Sequence, residues 1–147
     1  MERNRTIMLL LTITLILCTQ FGEHECAVTK EQMEKTGKLF RQVCQPKHKM
    51  SDDVLEAGKN GVFPDTKDFK CYISCLLDMM QVTKRGKISY EKSLKQIDQL
   101  LPDDLKPAFR QGLEACKDVA SGIKDHCDSA YVLLNCFYKN NPEFMLP

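Results

Sequence analysis

The sequence has no tryptophan, only 7 glycines and 6 prolines in 147 residues, and no excess of either charge, with 21 Lys and Arg against 20 Asp and Glu. Each shortage excludes something. A formal net charge of +1, with both signs mixed along the chain, offers no electrostatic footprint for phosphate backbones or anionic lipid, so nucleic acid is not expected as a partner. G-x-S-x-G, H-E-x-x-H and Gly-rich phosphate loops are all missing, and the 3 histidines fall in no motif, so neither an enzyme nor a cofactor is expected. The longest apolar run, Ile7 to Cys18, is far shorter than the roughly 20 residues that cross a bilayer, so stable membrane insertion is not expected either.

That same run, behind the basic flank Met1-Glu2-Arg3-Asn4-Arg5, has the length of a signal-peptide core. The reading is a secretory leader over 1–22, cut near Gly22, followed by one domain over 23–147 and an extracellular destination. The sequon at Asn4 lies in the leader, and Asn60, Asn135, Asn140 and Asn141 lack the following hydroxyl, so no N-glycan is expected. Eight cysteines in an exported chain of this size point to a disulfide framework.

No segment of the mature chain shows period-two alternation, while six show apolar residues at helical spacing between caps and breakers, so the fold class is all-α. The first helix opens on a capping box of Thr29 and Gln32 and stops before Pro46. A short second one is capped by Ser51 and ends at Gly58 to Gly61. The third is expected from Asp65 as cap to about Val82. On its wheel Phe69, Tyr72, Ile73, Leu76, Leu77, Met79 and Met80 share one face, and Cys71 and Cys75 point nearly the opposite way. A fourth runs from about Ser89 with Tyr90, Leu94, Ile97 and Leu101 in a stripe. The fifth opens at Asp103-Asp104 and sets Leu105, Phe109, Gly112, Leu113 and Cys116 on one arc. The sixth is capped by Asp125 and runs to about Lys139, apolar round most of its circumference.

Seven cysteines follow the leader: Cys26, Cys44, Cys71, Cys75, Cys116, Cys127 and Cys136. Six of them allow fifteen pairings. Cys71 and Cys75, at i and i+4 on one helix, point along parallel directions and must staple different neighbours. A zinc site built on Cys71, Cys75, His126 and Cys127 has ligand-like spacing, but export favours disulfides, so no metal is expected.

The run Cys44-x26-Cys71-x3-Cys75-x40-Cys116-x10-Cys127-x8-Cys136 resembles the six-cysteine signature of the insect pheromone and general odorant-binding proteins. The segments Met79-Met80-Gln81-Val82-Thr83, Leu113-Glu114-Ala115-Cys116-Lys117 and Cys136-Phe137-Tyr138-Lys139 carry further resemblance, and together they cover nearly the whole mature chain. The resemblance implies three interlocked bridges, Cys44–Cys75, Cys71–Cys127 and Cys116–Cys136, with about six helices enclosing an apolar cavity. Cys26 has no counterpart in that pattern.

The function implied is a secreted carrier that reversibly binds odorants or pheromones and takes them through aqueous lymph to receptors. The inward stripes supply the candidate wall: Phe40 from the first helix, Phe69, Ile73, Leu76 and Met80 from the third, Leu94 and Ile97 from the fourth, Phe109 and Leu113 from the fifth, Leu134 and Phe137 from the sixth. The resemblance favours Phe109, Leu134 and Phe137 most. Tyr90, Tyr131 or Tyr138 is expected to orient the polar end of a ligand, and the resemblance implies that Phe144, Met145 and Leu146 fold over the mouth as a lid. His126, beside Cys127, is the candidate for pH-linked release. The partners are then small apolar volatiles and, through the resemblance, an odorant receptor; a homodimer is compatible with the sequence and not required by it. The alternative is a secreted helical lipid-interacting or signalling protein of saposin-like or cytokine-like type, which a membrane-leakage assay would separate from a carrier.

Overall fold

The structure is a computed structural model that describes residues 28–84, 86–141, 144 and 146; the expected leader, His24, Cys26 and Met145 lie outside the described residues. The first helix, α1 (Lys30–Lys47), starts where its chemistry says it should. The Thr29 hydroxyl accepts from the Gln32 amide at 3.2 Å, and the Gln32 side chain accepts from the Thr29 amide at 2.8 Å. Pro46 does not end it, contrary to expectation, and lies inside its last turn. There the missing N–H costs only the bond to the carbonyl of Gln42, an exposed residue whose oxygen water can reach.

The short α2 (Asp52–Lys59) follows Ser51, with Asp52 and Asp53 at its positive end. Arg41 of α1 holds it down by donating to Asp52 at 2.8 Å and Glu56 at 3.3 Å. The cap of α3 (Lys67–Met79) is Thr66 and not Asp65: the Thr66 hydroxyl accepts from the Phe69 amide, while the Asp65 carboxylate is drawn to Lys70 at 2.5 Å. This helix ends at Met79, three residues short of the expected Val82. The chain then forms an antiparallel ribbon of β1 (Thr83–Lys84) and β2 (Lys87–Ile88), with Thr83 opposite Ile88 and Lys84 opposite Lys87. Strands of two residues cannot display an alternating pattern, which is why the sequence shows only a turn there.

After α4 (Tyr90–Leu100), Asp103 and Asp104 make a turn, and α5 (Lys106–Cys116) begins after them with Pro107 in its first turn. Asp125 caps α6 (His126–Asn140), accepting from the amides of Cys127 and Asp128 at 2.8 and 3.0 Å. Those amides, Asp128's foremost, hold its carboxyl below the usual carboxylate range.

The helix α3 is central, packed on α1 and on α6; α5 lies on α6, and α4 on α5. Phe69, Tyr72, Ile73 and Leu76 of α3 are buried to within 1% and form the core with Leu55, Ala130 and Leu134. The opposite side of the same helix carries the sulfurs. Cys44–Cys75 ties α1 to α3, Cys71–Cys127 ties α3 to α6, and Cys116–Cys136 ties α5 to α6, with Cα separations of 5.8, 4.5 and 5.9 Å. Loops of this size contribute on the order of 3 to 4 kcal/mol each by restricting the unfolded chain. No helix among the described residues is long and apolar enough to cross a membrane.

Candidate functional site

The interior contains two apolar groups. The first gathers around α3, where Phe69, Ile73, Leu76 and Leu134 are buried and Phe40, Met80, Tyr131 and Phe144 pack against them half-buried. The second is a trio of rings: Phe109 of α5, Phe137 of α6 and Phe144 of the tail meet edge to face with centroids 5.5, 6.2 and 5.3 Å apart. Gly112, one turn beyond Phe109, makes that trio possible, because a Cβ there would stand 2.9 Å from the Phe137 ring. Phe144 belongs to both groups. Leu113 and Ile97 are also buried, and Leu94 half-buried, along the α4 and α5 side.

The tail enters this interior. The Phe144 amide donates to the Asn141 carbonyl at 3.0 Å, turning the chain back, and Leu146 is only 5% exposed. Gly58 of α2 receives it: a Cβ at that position would lie 3.2 Å from Leu146 Cδ2.

The tyrosines do not share one role. Tyr90 is half-buried, and its hydroxyl donates to the Glu114 carboxylate. That carboxylate holds the phenol in its neutral form by raising its pKa. The Tyr131 hydroxyl donates to the Phe63 carbonyl at 3.0 Å, and Lys70 Nζ stands 5.1 Å above its ring. Tyr138 lies edge-on to Phe63 at 5.2 Å, its ring filling the space a Cβ would need at Gly61, whose φ of +79° suits glycine. Tyr72 is different. It is 0% exposed, and its hydroxyl has no hydrogen-bond partner among the described residues. Burial pushes its pKa up to about 12 against a small opposing effect of Arg41, so it is a neutral donor in an apolar setting. Leaving such a group unmade costs roughly 1 to 3 kcal/mol. The Ser93 hydroxyl and the Asn141 amide are likewise buried without partners.

Two residues of the interior are absent from the expected wall. Phe63, stacked on Phe69 at 6.1 Å, lies in a loop where no periodicity marks it. Tyr72 shares the buried arc of the α3 wheel, so the signal for it was present; only the state of its hydroxyl was not.

Among the described residues, every cysteine is bridged. Cys71, Cys75 and Cys127 are all bridged, so the zinc arrangement has no thiolate to offer. Asp125, His126 and Cys127 do cluster at the start of α6, beside an open concavity of about 260 Å³ between Lys67, Lys70, Asp125, Cys127 and Asp128. Its lining is polar and includes none of the nominated wall residues. His126 is exposed there, and the backbone of Gly86 packs against it. His48, half-buried at the end of α1, has its pKa lowered by burial; Asp68 opposes this, and Lys47 and His126 add to it.

A family model, that of the PBP/GOBP family, matches residues 26–140. The chain is 68% identical over 121 residues to general odorant-binding protein 72 of Anopheles gambiae, covering 82% of this chain and 100% of that one. It is 44% identical to general odorant-binding protein 19a of Drosophila melanogaster, covering 95% and 97% of the two. Among solved structures, odorant binding protein 4 of Chrysopa pallens superposes with a TM-score of 0.75 at 36% identity, covering 82% of this chain and 99% of that one. Odorant binding protein 7 of Anopheles gambiae, solved in complex with an azo compound, superposes with a TM-score of 0.61 at 27% identity over 74% and 85%.

Proposed function

This chain belongs to the PBP/GOBP family of odorant-binding proteins, and from that premise we propose how its interior performs the work of a carrier of small hydrophobic molecules. The ligand lies against the α3 face of Phe69, Ile73 and Leu76 and against the Phe109–Phe137 pair, with Leu134 between them and Phe40 and Met80 at the margin. The observation that carries this reading is the tail. Phe144 and Leu146, which follow α6 beyond the last bridged cysteine, are packed into the same interior as the helix stripes, so part of that interior is closed by a segment that no disulfide pins. A segment of that kind can leave and return while the bridged helices stay in place, which is what reversible binding in water requires.

The work is physical and not catalytic: transfer of apolar surface out of water returns about 25 cal/mol per Å² buried, enough to hold a volatile without bonds to it. The bridges maintain the frame during exchange. We read the protein as secreted, with its leader removed, delivering its cargo through extracellular fluid to an odorant receptor. Displacement of the fluorescent probe N-phenyl-1-naphthylamine by a panel of medium-chain volatiles tests the reading. The expected result is competitive displacement that disappears after the six cysteines are reduced and alkylated; a probe that never binds, or that binds equally well after reduction, overturns it.

A further inference from the structure

We propose that Tyr72 is the specificity-determining hydrogen-bond donor of the interior, selecting ligands that carry a neutral acceptor such as a ketone, aldehyde or ester oxygen over bare hydrocarbons. The proposal rests on the carrier reading above. Tyr72 lies in the middle of α3, the helix held from both sides by disulfides, and its neighbours on that face are Phe69, Ile73 and Leu76, none of which can accept a hydrogen bond from it. Its hydroxyl is buried without a partner, whereas those of Tyr90 and Tyr131 are engaged by Glu114 and by the Phe63 carbonyl. Buried polar groups in folded proteins are nearly always paired, and one that is not needs a reason in function or strain. The other two cases are weaker. Ser93 is within a helix, where a hydroxyl can turn to a carbonyl of the preceding turn, and Asn141 is the C-cap of α6, outside the apolar face of α3.

The chemistry of the missing partner follows from the phenol and its surroundings. Held in the neutral form, it is a good donor and a poor acceptor. The charge that reaches it is that of Arg41, which Asp52 and Glu56 already engage, so the group calls for a neutral oxygen and not a carboxylate. Space for the ligand beside it comes from Met50, Met79 and Met80, half-buried against the same cluster and with side chains that change shape at little cost.

The test compares ligands of matched skeleton, limonene with carvone and decane with 2-decanone, as competitors for N-phenyl-1-naphthylamine on the wild-type chain and on Tyr72→Phe. The wild type is expected to favour each ketone, and Tyr72→Phe to weaken the ketones by about two- to tenfold while leaving the hydrocarbons unchanged. The carbonyl stretch of bound carvone is expected at lower frequency in the wild type than in Tyr72→Phe, and Tyr72→Phe is expected to melt no lower than wild type, since it removes an unmade bond. If the probe binds but ketones compete no better than hydrocarbons, or if Tyr72→Phe keeps the ketone preference and the carbonyl frequency, Tyr72 is not the donor and the carrier reading stands. If the probe does not bind the wild type, the carrier reading falls and this proposal with it.

Discussion

The two sides of the molecule are built differently. Around α3 everything is fixed: two bridges enter one helix, and Phe69, Tyr72, Ile73 and Leu76 are buried between α1 and α6. On the side of α5 and the tail, the bridge lies at the far end of α5, and the contact surface is three phenylalanine rings meeting edge to face. Edge-to-face rings contribute roughly 0.5 to 1.5 kcal/mol a pair beyond the area they bury, far less than a bridge together with a filled core. The lesson is a division of labour within one small helical fold, with a fixed wall facing one that yields.

Ways to break that division can be ranked by size. Replacing both cysteines of Cys71–Cys127 by serine is expected to lower the unfolding free energy by about 4 kcal/mol, and doing the same to Cys116–Cys136 by about 3 kcal/mol. Urea titration measures both, and equal or inverted losses would dissolve the distinction. Leu76→Ala, in the fixed wall, is expected to cost about 2 to 5 kcal/mol by leaving a cavity. Phe144→Ala, in the yielding wall, is expected to cost less, about 1 to 3 kcal/mol for two ring contacts, and to speed probe dissociation in stopped flow. A larger stability loss for Phe144→Ala than for Leu76→Ala would show the tail to be part of the frame. Gly112→Ala introduces a Cβ 2.9 Å from the Phe137 ring, and the gain in helix propensity of about 1 kcal/mol offsets part of the overpacking. Its expected signature is weaker ligand binding with little change in melting.

The smallest effect is that of pH. Because burial lowers the pKa of His48 in the folded state, the imidazole contributes stability that is fully present above its unfolded value near 6.5 and is lost as pH falls through the folded value. The wild type is therefore expected to lose slightly more melting temperature than His48→Gln between pH 7 and pH 5. An identical loss in the two would remove His48 from the account.

Much of the fixed wall is legible in the residues, and much of the yielding wall is not. The arc of Phe69, Ile73 and Leu76 is a matter of helical angle, which any regular helix must obey, and the caps at Thr29 and Asp125 are local chemistry. Pro46 misleads because its effect depends on how close it lies to a helix end, and Asp65 because Lys70 competes for it with the helix amides. The ribbon of Thr83 and Ile88 is too short for a period. Tyr90 fits an apolar stripe on the wheel, yet its hydroxyl finds Glu114, a partner on another helix that no wheel contains. For the same reason the solitude of the Tyr72 hydroxyl is a property of the assembled interior and of no local pattern.

The order in which the sulfur links cross has a further result. The span from Cys44 to Cys75 overlaps that from Cys71 to Cys127, which in turn overlaps that from Cys116 to Cys136. A protease that severs any one peptide bond between Cys44 and Cys136 therefore releases no fragment, because every such nick is spanned by at least one intact bridge. The topology makes a single scission within that span a survivable event.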